Sequence, residues 1–151
     1  MAESASRQLA GFLDRFAPEV AARGRAALAR LRRQLPGAFQ LVYDNYNALA
    51  IGFGPTERAS EALVSIALYP RWVTLFFLRG AGLADPHGLL KGSGRRVRSI
   101  VLHDPATLDS PPVRDLIARA VKGSLPPQGT RGRLIIKAVS AKQRPRRPGA
   151  R

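Results

Sequence analysis

The spacing of apolar residues changes once along this chain, from near four before residue 38 to near two after it, and that change limits the fold to a helical start followed by a sheet. From Pro18 to Leu35, a repeat of about 100° per residue puts Val20, Gly24, Ala27, Leu28, Leu31 and Leu35 on one side of a helix. Arg23, Arg25, Arg30, Arg32 and Arg33 fill the other side. Proline at the first turn and Glu19 beside it suit a helix start, and Pro36-Gly37 stops it. Leu9, Phe12, Leu13 and Phe16 share helical spacing, which predicts a shorter helix from about Ser6 to Phe16. Beyond Phe39 the alternation predicts strands over 39–46 and 48–53, a tight hairpin of 63–69 and 72–78 turned by Pro70-Arg71, and a strand over 97–102. Asp109 or Ser110 then caps a last helix that carries Val113, Ile117, Ala120 and Val121 inward and ends at Gly123. Strands joined by hairpins, without helix alternation, predict an α+β fold: an antiparallel sheet of about five strands with the N-terminal helices and a C-terminal helix packed on one face.

Charge divides the chain differently. Residues 1–122 hold 17 Lys and Arg against all 10 acids, whereas residues 123–151 hold 8 cations and no acid. Over half of the net +15 therefore lies in the last 29 residues. An excess of Arg over Lys, 21 to 4, is what GC-rich coding would give without selection, but GC content does not explain a tail without acids. The tail is also rich in Pro and Gly, a composition too poor in apolar area to offset chain entropy. The expected organisation is one domain over 1–124 and a mostly disordered basic tail over 125–151, with a short strand over 133–139 built on Leu134, Ile135, Ile136, Ala138 and Val139 as the possible exception.

Several chemistries are excluded by what is missing. The chain has no cysteine, which removes disulfides, thiolate nucleophiles and cysteine zinc sites. Gly80-x-Gly82 lacks the third glycine of a dinucleotide fingerprint, since Asp85 stands there, and Gly92-Ser93-Gly94 has neither P-loop nor G-x-S-x-G spacing. No apolar run reaches the roughly 20 residues of a spanning helix, and the N-terminus has no apolar leader core, so a cytoplasmic location without membrane contact is expected.

Two candidate sites remain, in addition to the aromatics. The glycine loop, with Lys91, Gly92, Gly94, Arg95, Arg96 and Arg98, could bring cations and backbone N–H groups onto a phosphate or carboxylate, or could simply be a turn. In the tail, Lys142, Arg144, Arg146 and Arg147 extend this anion-binding set. The predicted partner is a nucleic acid or an acidic protein. Six neutralised phosphates would give a log–log salt slope of roughly −5 on duplex DNA. The two Asp–His pairs, Asp85 with His87 and His103 with Asp104, offer mixed oxygen and nitrogen ligands for Fe²⁺ or Mn²⁺ if their loops meet; they lack H-x-x-x-H or H-x-H spacing, and Asp before Pro is equally a turn start. Tyr43, Tyr46, Tyr69 and Trp72 lie at strand ends, where they either fill the sheet faces or stack unpaired bases beside Arg71 and Arg79. A small-molecule enzyme of unknown reaction is a further alternative, because a pocket leaves no trace in sequence.

The segments LRRQLPGAFQLVYDNYNALAIGF, ALYPRWVTLFF, GAGLADPHGLLKGSGRRVRSIVL and DLIARAV resemble the YdhG-like domain family, over about Leu28 to Ala120. The resemblance implies an α+β sandwich with an antiparallel sheet. Because members of that family include frataxin-like iron chaperones, it also implies iron binding, without a cofactor otherwise. A ridge of exposed carboxylates serves that role, and here Glu3, Asp14 and Glu19 stand among six arginines from Arg15 to Arg33. Such a surface repels Fe²⁺.

Overall fold

A computed structural model describes residues 3–149; of the tail, residues 150 and 151 lie outside the described residues. The fold is α+β, with three helices and one six-stranded sheet. Helix α1 (Ala5–Asp14) opens at Ser4, whose hydroxyl accepts from the Arg7 N–H at 3.2 Å, and α2 (Pro18–Gln34) opens on its proline. The strands are β1 (Phe39–Asp44), β2 (Leu49–Gly54), β3 (Val64–Leu68), β4 (Val73–Phe77), β5 (Arg98–Val101) and β6 (Leu134–Val139), with α3 (Pro111–Val121) between the last two. The three helices and first five strands lie within about two residues of where periodicity puts them.

The sheet runs β5-β4-β3-β2-β1-β6 and is mixed, which corrects the expectation of about five antiparallel strands. The sixth strand comes from the tail and lies parallel to β1. Its physical reason is local alternation: Leu134 and Ile136 pack against the core, and the backbone pairs with a β1 edge that would otherwise stay open. Across the helix-covered face, Ile136, Val42, Ile51, Ile66, Leu75 and Ile100 stand in register as a row from edge to edge. Leu9, Leu13, Leu28, Leu31, Val113 and Ile117 from the helices close over this face, and all of them are buried. Each aliphatic side chain fully buried in this way stabilises the fold by roughly 1.5–3 kcal/mol.

The opposite face is covered unevenly. After Gly54 the chain folds back so that Ala62 sits against Gly52 and Gly54, roofing the lower part of the sheet. Glu57 ties this roof to the tail strand, accepting from Arg133 at 2.7 Å on its carboxylate and from Lys137 at 3.1 Å on its carbonyl. The upper part, floored by Ala50, Ser65 and Ala67, stays open as a trough of about 460 Å³.

The tail reaches its edge through one tight passage. A Cβ on Gly132 would collide with the backbone of Gly37 and Ala38, and one on Gly37 would come within 2.6 Å of the Thr130 carbonyl oxygen. Gly37 also has φ +80°, so both glycines are needed where the α2–β1 turn meets the incoming tail. Gly132→Ala is expected to detach β6: amide exchange at Leu134 to Val139 should rise by tenfold or more while β3 and β4 amides stay protected. Unchanged protection in β6 would contradict this packing.

Candidate functional site

Strand directions determine what gathers at each end of the sheet. β1 and β6 run upward in parallel, so the β1–β2 turn, the β3–β4 turn and the residues after β6 all meet at the upper end. At the β3–β4 turn the Tyr69 N–H donates to the Trp72 carbonyl at 2.9 Å, with Pro70 fixing the bend. This pairing sets the two rings side by side, centroids 5.2 Å apart and planes 24° from parallel. Trp72 remains 44% exposed, so one side of the stack faces solvent. In the β1–β2 turn the Asn45 N–H donates to Ala48 O at 3.0 Å, leaving Tyr46 41% exposed.

The tail then folds over these turns, held by one buried ion pair. The Arg146 guanidinium donates to the Asp44 carboxylate at 2.8 Å and to the Asn45 carbonyl at 2.5 Å. It lies 5.7 Å from the Phe16 ring centroid, and both partners of the pair are almost wholly buried, at 2% and 1% side-chain exposure. Arg15 reaches the other Asp44 oxygen at 3.4 Å. Backbone bonds complete the strap: Ser140 N–H to Asp44 O at 2.8 Å and Arg144 N–H to Tyr46 O at 2.9 Å. Arg146 is therefore corrected from an anion-binding residue to an anchor, because its charge is spent on Asp44 and closed off from solvent. Its neighbours Arg144 and Arg147 remain exposed. Arg144 sits 5.5 Å from the Tyr46 ring centroid, and Arg147 donates to the carbonyls of Arg15 and Asp14.

Arg144 and Arg147, with Arg71, Asn47, Tyr69 and Trp72, line an open groove of about 790 Å³. Among the described residues no carboxylate lines it, and none of its three arginines pairs with one. The groove adjoins the trough on the open sheet face, since Asn47 and Tyr69 line both. Tyr43 does not join this rim, for its hydroxyl is buried without a hydrogen-bond partner and burial pushes its phenol up.

The glycine loop lies elsewhere. It feeds into the lower end of β5, the strand at the opposite edge from β6, roughly 24 Å away across five strand spacings. Lys91 and Ser99 exchange backbone hydrogen bonds at 2.9 Å, and Gly92 adopts φ +123° to turn the chain between them. Arg98 donates to the Gly94 carbonyl at 2.6 Å and the Val97 carbonyl at 2.8 Å, which closes the loop on itself. Lys91, Arg95 and Arg96 are exposed there, at the opposite corner of the sheet from Arg144 and Arg147, too far for the two clusters to grip a single phosphate.

The two Asp–His pairs are not brought together as ligands. Asp85 and His87 lie in the connection leading to the lower end of β5, while His103 and Asp104 follow its upper end. Among the described residues no group of three or more His, Asp or Glu side chains could hold a metal ion. Both aspartates instead serve turns: Asp104 accepts from the Ala106 N–H at 2.8 Å, and Asp85 from the Leu89 and Leu90 N–H groups, both at 2.9 Å. Those two bonds hold the Asp85 carboxyl below the usual aspartate range. A lowered folded value means that the turn is supported at neutral pH and loses that support as pH falls through it. The Leu89 and Leu90 amide signals should therefore titrate with a midpoint below about 3.9, and a midpoint at or above that would contradict the capping role.

Among the described residues no helix is long and apolar enough to cross a membrane. No protein-family model, curated protein or solved structure matches the chain.

The rim was only partly foreseeable. Sequence reading picked out Tyr69, Trp72 and Arg71 through their turn, and Arg144 and Arg147 through their charge, but as separate features. It missed Asp44, the acid that the tail folds onto.

Proposed function

We propose that this protein is a binding domain that holds the phosphate backbone of a nucleic acid in the groove at the upper end of its sheet. One observation carries the reading: Arg71, Arg144 and Arg147 line a single groove in which no described residue places a carboxylate, although two of them arrive from a tail distant in sequence. Guanidinium groups present paired N–H donors at the spacing of phosphate oxygens, and such charge-assisted bonds are roughly twice as strong as neutral ones. The absence of acids from residues 123–151 adds a longer-range field of the same sign. Among the residues that line the groove none belongs to a helix that could enter a duplex groove, so duplex affinity should vary little with sequence.

The groove also revises how many contacts to expect. Three phosphates neutralised at one site give a log–log salt slope of about −2 to −3, where engagement of six cations would give roughly −5. Fluorescence anisotropy of a labelled oligonucleotide across several salt concentrations measures this slope. A value near −2.5 supports the groove. No binding at low salt, or binding only to an acidic polypeptide, would overturn the reading.

A further inference from the structure

Resting on that reading, we infer that the nucleic acid bound is an unpaired strand, with bases laid against the Tyr69–Trp72 stack and into the adjoining trough and phosphates at Arg71, Arg144 and Arg147. A duplex offers phosphates to the arginines but keeps its base faces inside its own stack. An unpaired strand offers both, and the rim has receptors for both. Trp72 presents an indole that is 44% exposed at the tip of a hairpin, already stacked on Tyr69, and a further flat ring can extend that stack. Beyond Tyr69 the surface dips instead of rising. Ala50, Ser65 and Ala67 form a floor, with Tyr46 and Phe76 also lining the trough. At about 460 Å³ the trough lies within the range of small-ligand clefts and can admit a splayed base, whereas an intact double helix cannot enter it. Among the described residues no charged side chain lines this part, and Asn45, Asn47 and Ser140 supply neutral donors and acceptors suited to base edges. Positive charge on one side and aromatic and small neutral residues on the other match the two sides of a single strand.

The chain has one tryptophan, so its fluorescence reports on Trp72 directly. The experiment titrates the full chain with an oligothymidylate of about ten nucleotides, the same strand annealed to its complement, and inorganic polyphosphate. The expected result is quenching by the single strand alone, with affinity at least tenfold above that of the duplex. Polyphosphate should bind with similar salt dependence and leave the emission unchanged. Trp72→Ala, followed by anisotropy, should weaken single-strand binding by roughly tenfold or more and leave polyphosphate binding unchanged. Trp72→Tyr should restore most of that loss, and Ser65→Leu, which raises the trough floor, should weaken only the single strand. Equal binding of single strand and duplex without quenching would overturn this inference and leave the nucleic-acid reading standing. Failure of both to bind would overturn that reading itself.

Discussion

Arg146→Ala is expected to destabilise the fold by about 3–5 kcal/mol, the cost of leaving a buried carboxylate without its partner. Asp44 is 1% exposed, so water cannot replace the lost guanidinium. Arg15 offers partial compensation from 3.4 Å, but it is half exposed and its remaining reach is shared with Gln143. The same guanidinium also satisfies the Asn45 carbonyl, which would lose its donor. Replacing both partners, Asp44→Leu with Arg146→Met, removes the charges together and should recover most of the loss. Urea denaturation of the two single variants and the double variant gives the coupling energy. A loss below about 1 kcal/mol for Arg146→Ala would show that the tail is not latched by this pair. The variant should also weaken nucleic-acid binding, because Arg144 and Arg147 stand on either side of the anchor.

The triple variant Arg71→Ser/Arg144→Ser/Arg147→Ser is expected to lower nucleic-acid affinity by on the order of 100-fold at physiological salt and to flatten the salt slope toward zero. The estimate follows from three phosphate contacts, each weakened by salt to nearly its first power. All three side chains are exposed and none is in a carboxylate pair among the described residues; Arg147 alone gives up two bonds to backbone carbonyls, those of Arg15 and Asp14, so stability should fall by no more than about 1–2 kcal/mol. A matched variant of the glycine loop, Lys91→Ser/Arg95→Ser/Arg96→Ser, removes the same formal charge at the opposite corner of the sheet. It should reduce affinity by less than tenfold, through the general field alone. Equal losses in the two variants would mean that net charge, and not the groove, holds the ligand.

Much of the architecture was legible because periodicity reports burial directly. Val20, Leu28 and Leu31 repeat as a helix face does, and Leu49, Ile51 and Phe53 as a strand face does; all of these side chains are buried. The tail has the average composition of a disordered segment, yet the short strand that its apolar run predicts over 133–139 forms as β6 over Leu134–Val139, because its structure depends on a few positions. Leu134 and Ile136 suffice for an edge strand once β1 supplies the backbone partners, and Gly132 is needed only because of how closely it passes Ala38. Arg146 was read with its neighbours as one more surface cation. Its burial depends on Asp44, 102 residues away in sequence, and no local pattern marks such a pair. Of the two readings open to the Asp–His pairs, the turn start expected of Asp before Pro is the one found, at both Asp85 and Asp104. The groove itself is a product of topology. Only the parallel placement of β6 beside β1 brings tail arginines to the end of the sheet where Tyr69 and Trp72 already stand.

Amide chemical-shift mapping with an unlabelled single-stranded oligonucleotide tests the central claim most directly, because it locates the ligand on the surface. The predicted result is a set of saturable shifts confined to residues 45–48, 69–72 and 140–149, at the two turns and the tail that form the groove, and to Ala50, Ser65, Ala67 and Phe76 in the trough beside it. Shifts centred on residues 91–98, or spread evenly over every exposed arginine, would contradict it.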